Sequence, residues 1–332
     1  MSIELLPGKP AVGTTGFGLM SLSLYGALPQ EDANKCMKTA LEQGANFWNG
    51  GEFYGPPEDR SANMRLINSF FEQNPDAKDK VILSIKGGID VATFQPTSDR
   101  EAIHKSIDII LDHLKGSGKF LDQYCLARLS SADAVEEAVK AMAEYVEQGK
   151  IGSYCLSEVS ANTIRRAHAI HPVGAVEIEL SLFAQEAVAN GVLRTCAELG
   201  IPVIAYSPLG MGLLTGKVTK DGEGIRPHFD RFKPENMDKN QHGVDKIVEV
   251  AERAGILPSQ LAMEWVRRQS RKNSEYPVIV PIPGTSKPSR IVENTKALDL
   301  KQSDLDEVDA FFQKFERAGS RYFGPANDYL YM

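Results

Sequence analysis

Tyrosine and lysine handle protons usefully near neutral pH only when their surroundings move their pKa values. A sequence that ends two successive apolar runs on one of each therefore invites a chemical reading. The stretch FWNGGEFYG, residues 47–55, ends the first run and sets Asn49 and Tyr54 on either side of two adjacent glycines. The second run, VILSIK, ends on Lys86. An ammonium emerging from an apolar strand either snorkels to solvent or needs an acceptor. If the turn after Asn49 folds back, the Tyr54 phenol comes over Lys86, and its pKa is drawn down from about 10 toward the working pH, as a general acid requires. Glycine weakens a strand interior, so Gly50 and Gly51 read as the places where the chain bends without side chains.

These residues must be carried by strands, and the chain supplies eight candidates: FGLMSLS, NFWNG, VILSIK, LDQYCLA, IGSYCLS, AVEIEL, VIAYS and VIVPIP, starting near 17, 46, 81, 121, 151, 175, 203 and 278. Amphipathic helical patterns fall between them, at about 31–44, 60–73, 98–115, 133–148, 160–169, 187–199, 242–254 with 259–269, and 288–297. Eight strand–helix units without a linker predict an α/β fold, one (β/α)8 TIM barrel domain over 1–332, with an extra C-terminal helix near 303–316. The connection after VIAYS is long and rich in Gly, Pro and charge, which marks it as a lid candidate, because in such barrels the loops that follow strands build the site. Polar residues at strand ends are then the candidates for chemistry: Asn49, Tyr54, Lys86, Glu158, Glu177, Tyr206 and Ser207. Glu177 and Glu179 share a strand face, so at least one points inward and needs a partner.

Composition removes several function classes. A formal net charge of −7 disfavours nucleic acid or an anionic membrane surface as the main partner. No apolar stretch approaches the roughly 20 residues needed to span a bilayer, and MSIELLPGKP lacks a secretory pattern. The expected address is the cytoplasm, with the nucleus beside it. The four cysteines form no C-x-x-C pair and read as buried free thiols. The six histidines form neither H-x-H nor H-E-x-x-H, so no metal is expected. Gly13, Gly16 and Gly18 do not have Rossmann spacing, and Val218 follows Lys217 where a phosphate loop needs Ser or Thr.

A phosphate site is nonetheless indicated near the C-terminus. PIPGTSKPSRIVEN, residues 281–294, runs from a strand through a glycine turn into a helix opened by Pro288. A helix N-terminus attracts phosphate, and Lys287 and Arg290 add positive charge there, Arg with a fork that suits a phosphate ester.

With GFGLMSLS, SPLG-x-G-L-L-T-G and PIPGTSKPSRIVEN, the chain resembles the aldo/keto reductases over essentially its whole length. The resemblance implies a barrel that binds extended NADPH and reduces aldehydes or ketones, with Tyr54 as proton donor and Lys86 as its partner. It places Tyr206 against the nicotinamide, Ser157, Glu158 and Glu177 at the carboxamide, and Glu293 and Asn294 at the adenine. Ser207, Leu209, Gly212, Gly284 and Thr285 complete the implied cofactor track. Two of the four usual catalytic positions depart from the pattern: Asn49 stands where most of the family has Asp, and Ala127 where most has His. Glu177 likewise stands at a usual Gln. The motifs N-x-G-E-F-Y-G, an A-R pair after the fourth strand and V-E-x-E-L-S-L-F are similar to fungal pyridoxal reductases. That likeness implies pyridoxal as the aldehyde substrate, its phenolic hydroxyl carrying charge that the missing imidazole would have handled. A broad aldehyde or ketone reductase and an NADPH-binding sensor subunit are the alternatives. The loops 88–97 and 215–240 carry no substrate motif, and a monomer is the default.

Overall fold

The computed structural model describes residues 3–6, 8–218, 226–270, 272–322 and 324–332. The stretch 219–225 of the expected lid lies outside the described residues. Eight parallel strands follow one another in order around a single sheet: β1 Phe17–Gly18, β2 Phe47–Gly51, β3 Ile82–Gly87, β4 Gln123–Leu126, β5 Tyr154–Ser157, β6 Ala175–Glu179, β7 Val203–Tyr206 and β8 Ile279–Pro281. The amides of Gly16 and Gly18 donate to Pro281 O and Pro283 O at 2.9 and 3.2 Å, which brings β8 back to β1 and makes the sheet a barrel.

Strand parity sorts the side chains. Trp48, Leu83, Ile85, Tyr124, Leu126, Tyr154, Leu156, Val176, Ile178 and Val203 face outward into the large core beneath the helices. Phe47, Ile82, Cys125, Cys155, Ala175, Ile204 and Val280 take the alternate positions and fill the barrel interior, together with Leu5, Leu6 and Val12 from the N-terminal segment. Asn49, Lys86, Ser157, Glu177, Glu179 and Tyr206 have this inward parity, which sets them at the C-terminal mouth.

The helices between the strands are α1 Gln30–Glu42, α2 Ala62–Gln73, α3 Arg100–Leu114, α4 Val135–Glu147, α5 Ala161–Ile170, α6 Glu186–Ala189, α7 Val192–Glu198, α8 Pro234–Ala254 and α9 Pro258–Gln269, and α10 Pro288–Thr295 and α11 Gln302–Phe312 follow β8. Side-chain caps start two of them: Asp99 accepts from Ala102 N, and Ser160 from Thr163 N.

Four elements differ from their sequence patterns. The helix expected over 187–199 is split into α6 and α7 at Gly191, whose φ is 86°. FGLMSLS forms a strand only at Phe17–Gly18, because Met20–Leu22 turns into a 3₁₀ segment. Helix α8 begins eight residues before 242. Its extra turns are polar, yet Met237, Asn240 and Gly243 lie buried on one face. Asn240 donates to Arg231 O and Ala318 O, and its Oδ1 accepts from Ala318 N. The final helix stops at Phe312 rather than near 316, and the chain then crosses the barrel mouth. There Met332 N donates to Glu158 O at 3.2 Å, and Ser160 N to Met332 O at 2.7 Å.

Candidate active site

At the centre of the mouth, β2, β3 and β6 contribute a closed polar ring. The Lys86 ammonium donates to Asn49 Oδ1 at 3.0 Å and to Glu177 Oε1, with which it forms an ion pair. Asn49 Nδ2 donates to Glu177 Oε2 at 2.9 Å. All three side chains are buried, so the ion pair is shielded from water and its hydrogen bonds are strengthened. Burial works against the charge of Lys86, but Glu177 and then Tyr54 and Cys125 outweigh it and hold the pKa above its usual value.

This arrangement corrects the role expected of Glu177. Instead of facing a carboxamide with free oxygens, it is the counter-ion of Lys86, and Cys125 Sγ also donates to its Oε2 at 3.6 Å. An aspartate at position 49 would set a second carboxylate against Glu177. Asn49 avoids that repulsion, because its amide accepts from the lysine and donates to the glutamate. The negative charge expected at position 49 thus sits across the barrel at position 177.

Tyr54 follows from β2 on a clamped turn. Asn63 Oδ1 accepts from Gly51 N at 3.1 Å, Asn63 Nδ2 donates to Ser23 Oγ at 2.8 Å, and Ser23 Oγ donates to Tyr54 O at 2.6 Å. Neither Gly50 nor Gly51 has a positive φ. Close approach requires them instead: a Cβ on Gly51 would lie 2.8 Å from the Tyr54 ring, and one on Gly50 would lie 2.7 Å from Ile67 Cδ1. The tyrosine ring therefore folds directly over the strand end. Burial pushes the Tyr54 phenol up to about 12, with Lys86 pulling it down and Glu177, Tyr322 and Cys125 adding to the rise. The expectation of a phenol drawn below its ordinary value is corrected accordingly, since burial outweighs the lysine's field and Glu177 opposes it.

Around this ring lies a second network that sequence patterns did not reveal. Arg321, from the segment after α11, donates to both oxygens of Glu158 at 2.6 and 3.1 Å and to Glu179 Oε2 at 3.0 Å. Arg231 donates to Glu179 Oε1 at 2.8 Å. The pKa of Glu179 lies below the usual carboxylate value, because its two arginines outweigh burial. Glu158 also accepts from Tyr206 OH at 2.8 Å and from Glu179 N at 2.8 Å, so its oxygens too are engaged by the protein. Tyr206 OH lies 2.8 Å from Tyr322 OH. Arg128, one residue beyond Ala127, donates to Ser157 Oγ, Tyr206 OH and Tyr322 OH at 3.1, 3.3 and 3.1 Å. Glu158 and Ser207, each following a strand, have φ of 55° and 49°. Left-handed backbone at non-glycine residues is strained and is held here by the surrounding bonds. No periodicity marks Arg231, Arg321 or Tyr322, which lie in a long loop and in the terminal segment; the A-R pair alone pointed to Arg128.

The third part of the mouth is open. After β8, Thr285 is buried and its Oγ1 accepts from Lys287 N at 3.2 Å at the start of α10. Lys287 and Arg290 are exposed, and neither has an acidic partner among the described residues. Glu293 Oε1 accepts from Ser259 Oγ, and Asn294 is buried. Ser21 Oγ is buried without a hydrogen-bond partner and would lie 3.2 Å from a Cβ placed on Gly284. Between the two regions, Gly210 N donates to Ser207 O and Gly212 N to Leu209 O, and Arg226 Nε closes the loop onto Met211 O at 2.9 Å.

The four cysteines are buried free thiols. Cys125, Cys155 and Glu177 are the one group of potential metal ligands that converges among the described residues, but Glu177 is already committed to Lys86 and Asn49. No helix among the described residues is long and apolar enough to cross a membrane.

Residues 14–313 match the model of the Aldo/keto reductase family. Over 325 residues the chain is 37% identical to a Schizosaccharomyces pombe protein described as "Probable pyridoxal reductase 2", covering 94% of this chain and 95% of that one. It is 33% identical to an aldo-keto reductase of the same yeast whose name specifies NADP(+), covering 98% and 96%. Among solved structures, a glycerol dehydrogenase from Gluconobacter oxydans superimposes with a TM-score of 0.78 at 20% identity, covering 95% of each chain. That likeness concerns the fold.

Proposed function

This chain belongs to the aldo/keto reductase family, and from that membership we propose that it reduces pyridoxal to pyridoxine with NADPH, Tyr54 giving a proton to the carbonyl oxygen. As a member of the family it is an oxidoreductase of carbonyl compounds. The observation that carries the finer reading is the buried ring of Asn49, Lys86 and Glu177 set against Tyr54. A phenol with a pKa of about 12 stays protonated at neutral pH, and Lys86 keeps it from rising further, so it remains a donor as negative charge develops on the carbonyl oxygen. Likeness to the yeast protein described as a probable pyridoxal reductase supports the choice of aldehyde.

The residues fit the cofactor. Orphaned Ser21 Oγ beside Gly284, with exposed Lys287 and Arg290 at the start of α10, suits the phosphates of NADPH. NADP(+) in the second relative's name agrees with that choice. Thr285 would join this end, Glu293 and Asn294 would meet the adenine, and Ser207, Leu209 and Gly212 would line the track between the ends. Tyr206 would offer a ring face to the nicotinamide and Ser157 a hydroxyl to the carboxamide, while Glu158 holds the Tyr206 hydroxyl and Glu177 holds Lys86. When bound, the cofactor supplies the hydride. We place this activity in the cytoplasm, with the nucleus as the alternative, in a protein that is a monomer by default.

Purified protein is assayed for NADPH oxidation with pyridoxal beside 4-nitrobenzaldehyde. Saturable turnover of pyridoxal is expected, falling at least about 100-fold in Tyr54→Phe, as loss of a general acid predicts. Because the phenol must be protonated, kcat should hold level from pH 7 to about 10 and fall only as pH approaches the Tyr54 pKa of about 12. A fall near neutrality would remove Tyr54 as the donor. Tight NADPH binding without turnover of either aldehyde would favour a sensor subunit, and equal efficiency on both a broad reductase.

A further inference from the structure

Four cations converge at the barrel mouth: Lys86, Arg128, Arg231 and Arg321. Three have carboxylate partners, Lys86 with Glu177, Arg231 with Glu179, and Arg321 with Glu158 and Glu179. The three acids balance these three cations, and Arg128 is left over. Its hydrogen-bond acceptors are all neutral: Ala127 O, Ser157 Oγ, Tyr206 OH and Tyr322 OH. No carboxylate lies within ion-pair distance of it among the described residues. Arg128 is only half-buried by exposure, but it sits against the Tyr322 ring, 5.4 Å from its centroid, which fixes the guanidinium plane. A partly desolvated cation held by neutral oxygens gains most from an incoming anion.

Resting on the reading of the chain as a pyridoxal reductase, we propose that Arg128 is a specificity-determining residue that binds an ionised oxygen next to the substrate's carbonyl, selecting ortho-hydroxy aromatic aldehydes. Three observations place that oxygen. Arg128 touches Ser157 and Tyr206, the residues assigned to the nicotinamide end. It touches Tyr322, which lies within electrostatic reach of Tyr54. Its neighbour Ala127 is buried and presents only a methyl group, and Tyr206, whose hydroxyl accepts from Arg128, has its ring centroid 5.8 Å from the Lys86 ammonium, which sets the guanidinium one ring away from Lys86. The pairing also has a chemical consequence. A phenolate ortho to an aldehyde donates electron density into the carbonyl and makes it a poorer electrophile. A guanidinium on the phenolate withdraws that density and leaves the carbonyl open to reduction.

The test compares wild type, Arg128→Gln and Arg128→Lys on pyridoxal, its 3-O-methyl ether and 4-nitrobenzaldehyde, with NADPH affinity measured for each protein. Loss of a charge-assisted contact predicts that Arg128→Gln lowers kcat/KM for pyridoxal about 10- to 100-fold. The two substrates without an ionisable oxygen should fall at least tenfold less, and Arg128→Lys should recover part of the pyridoxal rate. An equal fall on all three substrates, or one matched by lost NADPH affinity, would make Arg128 a scaffold residue and overturn the proposal. A second readout does not depend on turnover: calorimetric titration with salicylate, against neutral salicylamide. Salicylate should bind wild type and bind Arg128→Gln at least about tenfold more weakly. If pyridoxal is not reduced but this difference holds, the substrate assignment fails and the anion site stands; if salicylate binds neither protein, the anion site fails.

Discussion

The mouth over β2, β3, β5, β6 and β7 and the mouth over β8 and α10 carry positive charge in opposite ways. In the first region Lys86, Arg231 and Arg321 are buried and matched by Glu177, Glu179 and Glu158. In the second, Lys287 and Arg290 stand in solvent with no acid against them among the described residues. A cation buried with its counter-ion belongs to the fold, because removing one partner leaves the other desolvated and alone. An exposed cation without a partner contributes little to stability and is available to a ligand. Substitutions in the first region should therefore change folding and chemistry together, and substitutions in the second should change ligand affinity alone.

The strongest way to break this contrast is at Glu177. Glu177→Gln keeps the shape but leaves the Lys86 ammonium buried without a counter-charge, which predicts a loss of about 3–5 kcal/mol of stability and at least about a 100-fold fall in kcat. The double variant Asn49→Asp with Glu177→Gln returns the charge to β2 and should recover most of both losses. Denaturant unfolding and steady-state assays read the two quantities. If the double variant behaves no better than the single one, the charge has not moved across the barrel, and Glu177 has some other role.

A smaller effect is expected at the open end. Replacing Lys287 and Arg290 together with Ala should raise the Kd for NADPH about 10- to 100-fold, with NADH affinity and unfolding midpoint nearly unchanged. Fluorescence titration with both cofactors checks this. A parallel loss for NADH would mean that the two cations serve the shared phosphates rather than the 2′-phosphate.

How far the sequence could be read follows the same division. Strand parity and the alternation of strand and helix made the barrel legible, because buried parallel strands carry dense apolar runs and their polar ends stand out. The open end was legible as well, since strand, glycine turn, Pro288 and basic residues are contiguous in PIPGTSKPSRIVEN. Lys86 and Tyr54 stood out as candidates for the same reason. The partners of the closed region were not, because they meet across long sequence distances. Glu177 lies 91 residues from Lys86, and Arg321 lies 163 from Glu158. No local pattern records a pairing at that range, so the need of Glu177 or Glu179 for a partner was legible while the identity of those partners, Lys86 and the arginines, was not. Asn240 shows the converse difficulty. Its buried amide ties α8 to Arg231 and Ala318, and a polar residue on the apolar face hid the first turns of the helix.

Salt offers the mildest test of the contrast and needs no substitution. Screening acts on exposed charges, with a Debye length near 10 Å at 0.1 M that shortens to about 3 Å at 1 M, and much less on buried pairs. Raising NaCl from about 0.05 to about 0.5 M should therefore weaken NADPH binding by about three- to tenfold, while the unfolding midpoint stays nearly constant. The Lys287 and Arg290 double variant should respond more weakly to the same titration, because the charges being screened are gone. Two results would count against the contrast. A binding slope that persists in the double variant would place the phosphate on other cations. A large drop in the unfolding midpoint with salt would mean that the pairs at Glu158, Glu177 and Glu179 are open to solvent, and the division between a folding region and a ligand region would no longer hold.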